Sequence, residues 1–104
     1  MNNELIKKFQ IEMMDTYLTA KKETGHNHAR FLQMITDPNI GGYKAAKQLI
    51  PEMSDGFTTL WGNGRLDLTV EACVLKPEYA ELFTSEEKEI CRIRLTECGY
   101  KIPE

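Results

Sequence analysis

The feature that most constrains this chain is the spacing of apolar residues across its first quarter. Ile6, Phe9, Met13, Tyr17 and Ala20 follow one another at intervals of three and four, and Leu5, Met14 and Leu18 widen the stripe. That is the period of an α-helix with one face against a core. Gly25 is a natural stop, because glycine accepts the left-handed backbone that ends many helices. The spacing predicts a helix over residues 3–24, with Lys7, Lys8, Lys21 and Lys22 on its solvated side. So long an amphipathic helix needs other apolar faces to cover it.

The following segments supply such faces in short pieces. Residues 27–36 read as a second helix, with Asn27 as cap and Phe31, Met34 and Ile35 turned inward; Asp37-Pro38 ends it, since the residue before proline avoids the helical region. Gly41-Gly42 opens a third, with Tyr43, Ala46, Leu49 and Ile50 inside, Lys44, Lys47 and Gln48 outside, and Pro51 as its end. The small Ala45-Ala46 pair allows a neighbouring helix to approach closely. Ser54 or Asp55 is expected to cap a fourth, whose Phe57, Leu60 and Trp61 share a face, and Gly62-Asn63-Gly64 stops it.

Beyond that turn, Asp67 or Thr69 begins another element. Leu66, Leu68, Val70, Ala72 and Val74 also alternate with period two, which suits a strand; the helix is preferred because its surroundings are helical and no partner strand is in view. Pro77 sits well at the first position of a short helix that turns Tyr79, Leu82 and Phe83 inward. Thr84 and Glu87 form a capping box for a last helix running to about Cys98, after which Gly99 leads into a tail. Glu86, Glu87 and Glu89 precede Arg92 and Arg94, an order that suits the helix dipole. With no repeat and no linker, residues 1–104 read as a single all-α domain, a compact bundle of about five to seven short helices with a tail at 99–104.

Composition narrows the function. Net charge is −3 and uneven: residues 1–52 carry seven Lys/Arg against six Asp/Glu, and residues 53–104 carry six against ten. A protein that lives on nucleic acid usually carries a basic surplus, so DNA binding would need a local patch. Cys73, Cys91 and Cys98 are odd in number and show no C-x-x-C spacing, and no leader-like or membrane-spanning run is present. The expectation is a cytoplasmic protein with free thiols acting as small buried hydrophobes, and with no membrane partner.

The middle of the chain carries the candidate chemistry. It holds the only Trp, Trp61, and sets Arg65 close to Asp67 and Glu71. This polar cluster is either an internal staple, in which Arg65 bridges helix ends, or a pocket in which Arg65 clamps an anion beside Trp61. On the staple reading Arg65→Ala should destabilise the fold. His26 and His28 are one residue apart, off any shared helix face, and read as surface histidines. No nucleophile elbow, P-loop, dinucleotide fingerprint or metal-ligand spacing occurs, so no catalytic residue, metal or cofactor is expected. Residues 42–60 also fit a helix-turn-helix, with Lys44, Lys47, Thr58 and Thr59 as the candidate DNA contacts and Arg65 as a further basic residue nearby, although its second helix offers no Lys or Arg near its start.

One run resembles a family of small uncharacterised bacterial proteins: Phe31-Leu32-Gln33-Met34, Gly41-Gly42 with Ala45-Ala46-Lys47, Asp55-Gly56-Phe57-Thr58-Thr59-Leu60-Trp61, and Gly64-Arg65-Leu66-Asp67-Leu68-Thr69-Val70-Glu71, followed by Leu82-Phe83-Thr84, Glu87, Arg94-Leu95 and Gly99-Tyr100. The resemblance covers about residues 5–100. It implies a free-standing cytoplasmic protein and brings no catalytic or binding residue with it. Three function classes follow in order of expectation. The first is a non-enzymatic helical interaction module with a protein partner or self-association, through the first helix or the Tyr100-Lys101-Ile102-Pro103 tail. The second is a helix-turn-helix DNA accessory protein. The third is a small-ligand binder or enzyme centred on Trp61 and Arg65.

Overall fold

The computed structural model describes residues 3–51 and 55–102. They form an all-α bundle, with helices α1 (Asn3–Thr24), α2 (Ala29–Thr36), α3 (Gly41–Leu49), α4 (Asp55–Gly62), α5 (Val70–Val74) and α6 (Ser85–Glu97). Short 3-10 segments at Leu66–Leu68 and Pro77–Leu82 join the later helices. The period-two pattern after Arg65 therefore folds as a 3-10 turn and a short helix. Among the described residues none of the helices is long and apolar enough to cross a membrane.

Helix α1 is the axis of the bundle. Phe9, Met13, Tyr17 and Ala20 are buried along its inner stripe, and Ile6 and Met14 pack at its edge. Leu18 lies outside the stripe and is exposed, as is Ile11. The apolar arc is narrower than the residue types suggested, because the small partners of α1 cover only one side of it. Phe9 is the central contact. Its ring meets the edge of Tyr79 at a centroid distance of 5.0 Å and that of Phe83 at 5.3 Å, edge-on geometry that favours aromatic pairs.

The crossing of α1 and α3 depends on a missing side chain. A Cβ on Gly42 would lie 2.9 Å from Gln10 Oε1 and 3.2 Å from both Gln10 Cα and Met13 Cγ, so only glycine allows this approach. Gln10 then ties three elements together: its carbonyl accepts from the Gly42 N–H at the start of α3, and its amide donates to Ile35 O near the end of α2 at 2.8 Å. Ala45 and Ala46 are both fully buried, as their size suggested.

Element ends follow the local chemistry closely. Asp37 leaves the helical region before Pro38, Pro77 opens its 3-10 turn, and Gly99 ends α6 with φ 84°. Thr84 and Glu87 make the reciprocal capping box. Thr69 Oγ1 accepts from Ala72 N at 3.1 Å and donates to Leu66 O at 2.7 Å, so one hydroxyl joins the 3-10 turn to α5. The start of α2 differs from the expectation. Asn27 does not cap it; Asn27 Oδ1 accepts from Tyr17 OH at 3.1 Å. His28 is the residue before the helix, in a left-handed conformation at φ 46° and with no side-chain cap. The proposed Ser54 cap of α4 lies outside the described residues.

Two apolar clusters result. The main one fills the space between α1, α2, α3, α5, the Pro77–Leu82 turn and α6. A smaller one gathers Phe57, Leu66 and Leu95, with Tyr100 and Ile102 of the tail packed against it. Cys73 and Cys91 are buried as free thiols and Cys98 is half-buried. Burial pushes the Cys73 thiol up to about 11 and that of Cys91 to about 12, which leaves both protonated and unreactive at neutral pH.

Candidate functional site

The polar group singled out in the middle of the chain divides in two. Arg65, just before the Leu66–Leu68 turn, donates from Nε to Asp67 Oδ1 at 3.1 Å and from Nη2 to Asp67 Oδ2 at 3.2 Å. Its Nη1 lies 3.2 Å from Glu23 Oε2 at the end of α1. This cluster ties a loop to a helix end at the surface, with the Arg65 side chain 34% exposed. Glu71 belongs elsewhere. It is buried in α5, and its Oε2 accepts from Arg94 Nη1 of α6 at 2.7 Å, with the two side chains only 4% and 13% exposed. Trp61 is 49% exposed, although Phe57 and Leu60 of the same helix are buried. It sits at the edge of their arc, facing solvent.

The four candidate DNA contacts differ in their surroundings. Lys44 and Thr58 are exposed. Lys47 Nζ is held by Glu87 Oε1 at 2.8 Å and lies 5.4 Å and 5.7 Å from the ring centroids of Tyr43 and Phe83. Partial burial works against its charge, but the hydrogen bond and charge of Glu87 outweigh this and raise its pKa. Thr59 turns toward a cleft. Helix α3 packs on α2 and α1, while α4 packs on α1 and the Leu66–Leu68 turn.

That cleft has a volume of about 400 Å³. Thr16, Tyr17 and Ala20 of α1 form one wall. Gly56, Phe57, Thr59 and Leu60 of α4 form a second, and residues 68–71 a third. The loop residues His26, Asn27 and His28, with Arg30, Phe31 and Met34 of α2, complete it. The central stretch thus supplies two walls, but through residues other than Trp61, Arg65 and Asp67; of the four residues in the polar cluster, Glu71 alone lines this cleft.

Its histidines were read from the sequence as surface residues. His26 is exposed, but His28 is half-buried. His28 Nε2 is shut off from solvent with no hydrogen-bond partner among the described residues. Burial, and then repulsion from the His26 ring 6.2 Å away, hold the His28 pKa below its ordinary 6.5. Buried polar atoms are normally paired, and a non-glycine residue in the left-handed region carries backbone strain. Both irregularities fall on one residue of the cleft wall. The sequence signal available for it was weak: a His-x-His pair beside a helix start and a glycine stop.

A second cavity of about 410 Å³ shares Thr16 and Leu68 with the first and is lined by Glu12, Asp15, Asp67, Lys76 and Tyr100 among others. Its central carboxylate is already engaged, because Glu12 accepts from Lys76 Nζ and from Tyr79 OH, the latter at 3.0 Å. Among the described residues there is no group of three or more His, Cys, Asp or Glu side chains placed to hold a metal ion. Comparison with family models, curated proteins and solved structures finds no match to this chain.

Proposed function

We propose that this chain is a small-molecule-binding module, and that its site is the cleft between α1, α2, α4 and residues 68–71. One observation carries the reading: a cavity of about 400 Å³ whose lining mixes apolar side chains with polar ones, one of which carries an unpartnered, solvent-excluded nitrogen. Ligand sites have this make-up, and a volume near the lower end of their usual range suits a small metabolite. The role is binding without chemistry. Among the described residues of the cleft, no side chain pairs with a second one as nucleophile and base, and its buried carboxylate, Glu71, is held by Arg94. The free thiols and the resemblance to small bacterial proteins support a place in a bacterial cytoplasm.

A fragment screen by ligand-observed NMR, followed by thermal shift, tests this. Binders should protect the parent and not a Thr59→Phe variant, whose ring fills the mouth. If no fragment binds at millimolar concentration, or if Thr59→Phe binds as well as the parent, the cleft is not the site.

A second reading rests on a separate observation. Ile11 and Leu18 lie two turns apart on α1, Ile90 and Ile93 one turn apart on α6, and all four are exposed. These apolar patches favour a protein partner or self-association. A solution mass above the monomer's 12.0 kDa that returns to it in Ile11→Lys/Leu18→Lys would support the interaction module.

A further inference from the structure

The ligand class can be read from the charges around the cleft. Five titratable or charged groups face it: Tyr17 from α1, His26 and His28 from the loop, Arg30 from α2 and Glu71 from α5. Glu71 is neutralised by Arg94 at 2.7 Å, and Tyr17 OH is committed to Asn27. What remains is a donor set: the Arg30 guanidinium and two imidazoles. Helix α2 strengthens it, because its first turn holds no acidic residue and its start has no side-chain cap, so the positive end of its dipole is unopposed by its own sequence. Phe57 and Leu60 of α4 give the cleft an apolar wall, and Phe31 and Met34 of α2 add to its apolar lining.

Building on the cleft as the binding site, we propose that its ligand is an anion-headed apolar molecule, with a carboxylate or phosphate head at His28 and Arg30 and its apolar body against Phe57 and Leu60. In this conformation His28 Nε2 is closed to solvent, so the head gains it as a partner through a turn of the imidazole, meeting either the neutral tautomer that carries its proton there or the imidazolium. Arg30 adds a charge-assisted hydrogen bond. The wall strips water from the body, which a free inorganic ion cannot exploit.

The test uses the full chain and isosteric probes: phenylbutyrate, phenylbutanol and phenylbutylamine, with inorganic phosphate and phenyl phosphate alongside, measured by calorimetry. Phenylbutyrate or phenyl phosphate should bind at least about tenfold tighter than the alcohol and the amine, as a charged hydrogen bond implies. Arg30→Gln, at an exposed position, should remove that preference, as should His28→Asn, which keeps a residue tolerant of the left-handed backbone. Equal or tighter binding of the alcohol or amine, or an unchanged preference in both variants, overturns the ligand class while the cleft stands as the site. Inorganic phosphate binding as tightly as the two organic anions overturns the apolar body. If none of the probes binds while the fragment screen finds other binders in the cleft, the anion assignment alone fails; if neither finds any, the cleft reading fails with it.

Discussion

Two arginine–carboxylate clusters lie a few residues apart in this molecule and behave as opposites. Arg65 with Asp67 and Glu23 is a surface cluster between a loop and the end of α1, with each side chain about a third to a half exposed. Arg94 with Glu71 is an enclosed pair between α6 and α5. In sequence Arg65 and Asp67 of the first look more like a staple, because they are close together. In space the second is one. Proximity along the chain reports how easily a pair forms, whereas burial decides how much the fold depends on it, because desolvated charges have no water to fall back on.

The sharpest way to break the comparison is to remove Arg94. Arg94→Ala leaves Glu71 charged and enclosed next to the cleft, at a cost of about 3 kcal/mol, the low end of what breaking a buried pair costs, since Arg94 retains some solvent contact. For a domain of this size that is a fall of more than about 10 °C in melting temperature by calorimetry. A double variant, Glu71→Met with Arg94→Met, should recover most of the loss, because an apolar replacement of both partners leaves neither charge stranded. A double variant no more stable than Arg94→Ala would mean that the pair contributes through something other than charge.

Thr69→Ala probes the joint between the two clusters. The Thr69 hydroxyl caps α5, which carries Glu71, and closes the turn after Arg65. Loss of an N-cap costs about 1 kcal/mol, so chemical denaturation should place this variant between the parent and Arg94→Ala.

The pH dependence separates the cleft from both clusters. Burial and His26 hold His28 below 6.5, so in the folded protein its neutral form is favoured and the unfolded chain binds more protons. The stability this contributes is present above pH 6.5 and is lost as pH falls through the lower folded value. An anionic ligand reverses the preference, since it favours the imidazolium. Its affinity should rise as pH falls from 8 toward 6, and His28→Asn should flatten both trends. An affinity that falls with pH would mean that His28 does not face the ligand's head.

How much of this was legible follows from where the physics is local. Thr84 with Glu87, Asp37 before Pro38, Pro77, Gly99 and the Phe9-Met13-Tyr17-Ala20 stripe depend on neighbours within one turn, and each falls where its residue types place it. The partner of Glu71 lies 23 residues away, and no spacing rule reaches that far. Asn27 is a good cap by type, but the hydroxyl of Tyr17, a residue of another helix, takes its side-chain oxygen. Trp61 shares the helical spacing of Phe57 and Leu60, yet the arc covered by the small cluster ends before it. The cleft was hidden for the same reason: its walls come from α1, α2, α4 and residues 68–71, and only tertiary packing brings them together.

The smallest effect tests the comparison from its other side. Arg65→Ala removes three close contacts, to Asp67 and Glu23, so by counting interactions it should matter more than Arg94→Ala. By burial it should matter little. The carboxylates it leaves behind are about half exposed and rehydrate at once, and salt screens such groups in any case. The expected melting curve therefore nearly overlays the parent's, with any difference shrinking further in high salt. A drop approaching that of Arg94→Ala would mean that Arg65 holds the end of α1 against the turn before α5, and that closeness in sequence was the better guide to the staple after all.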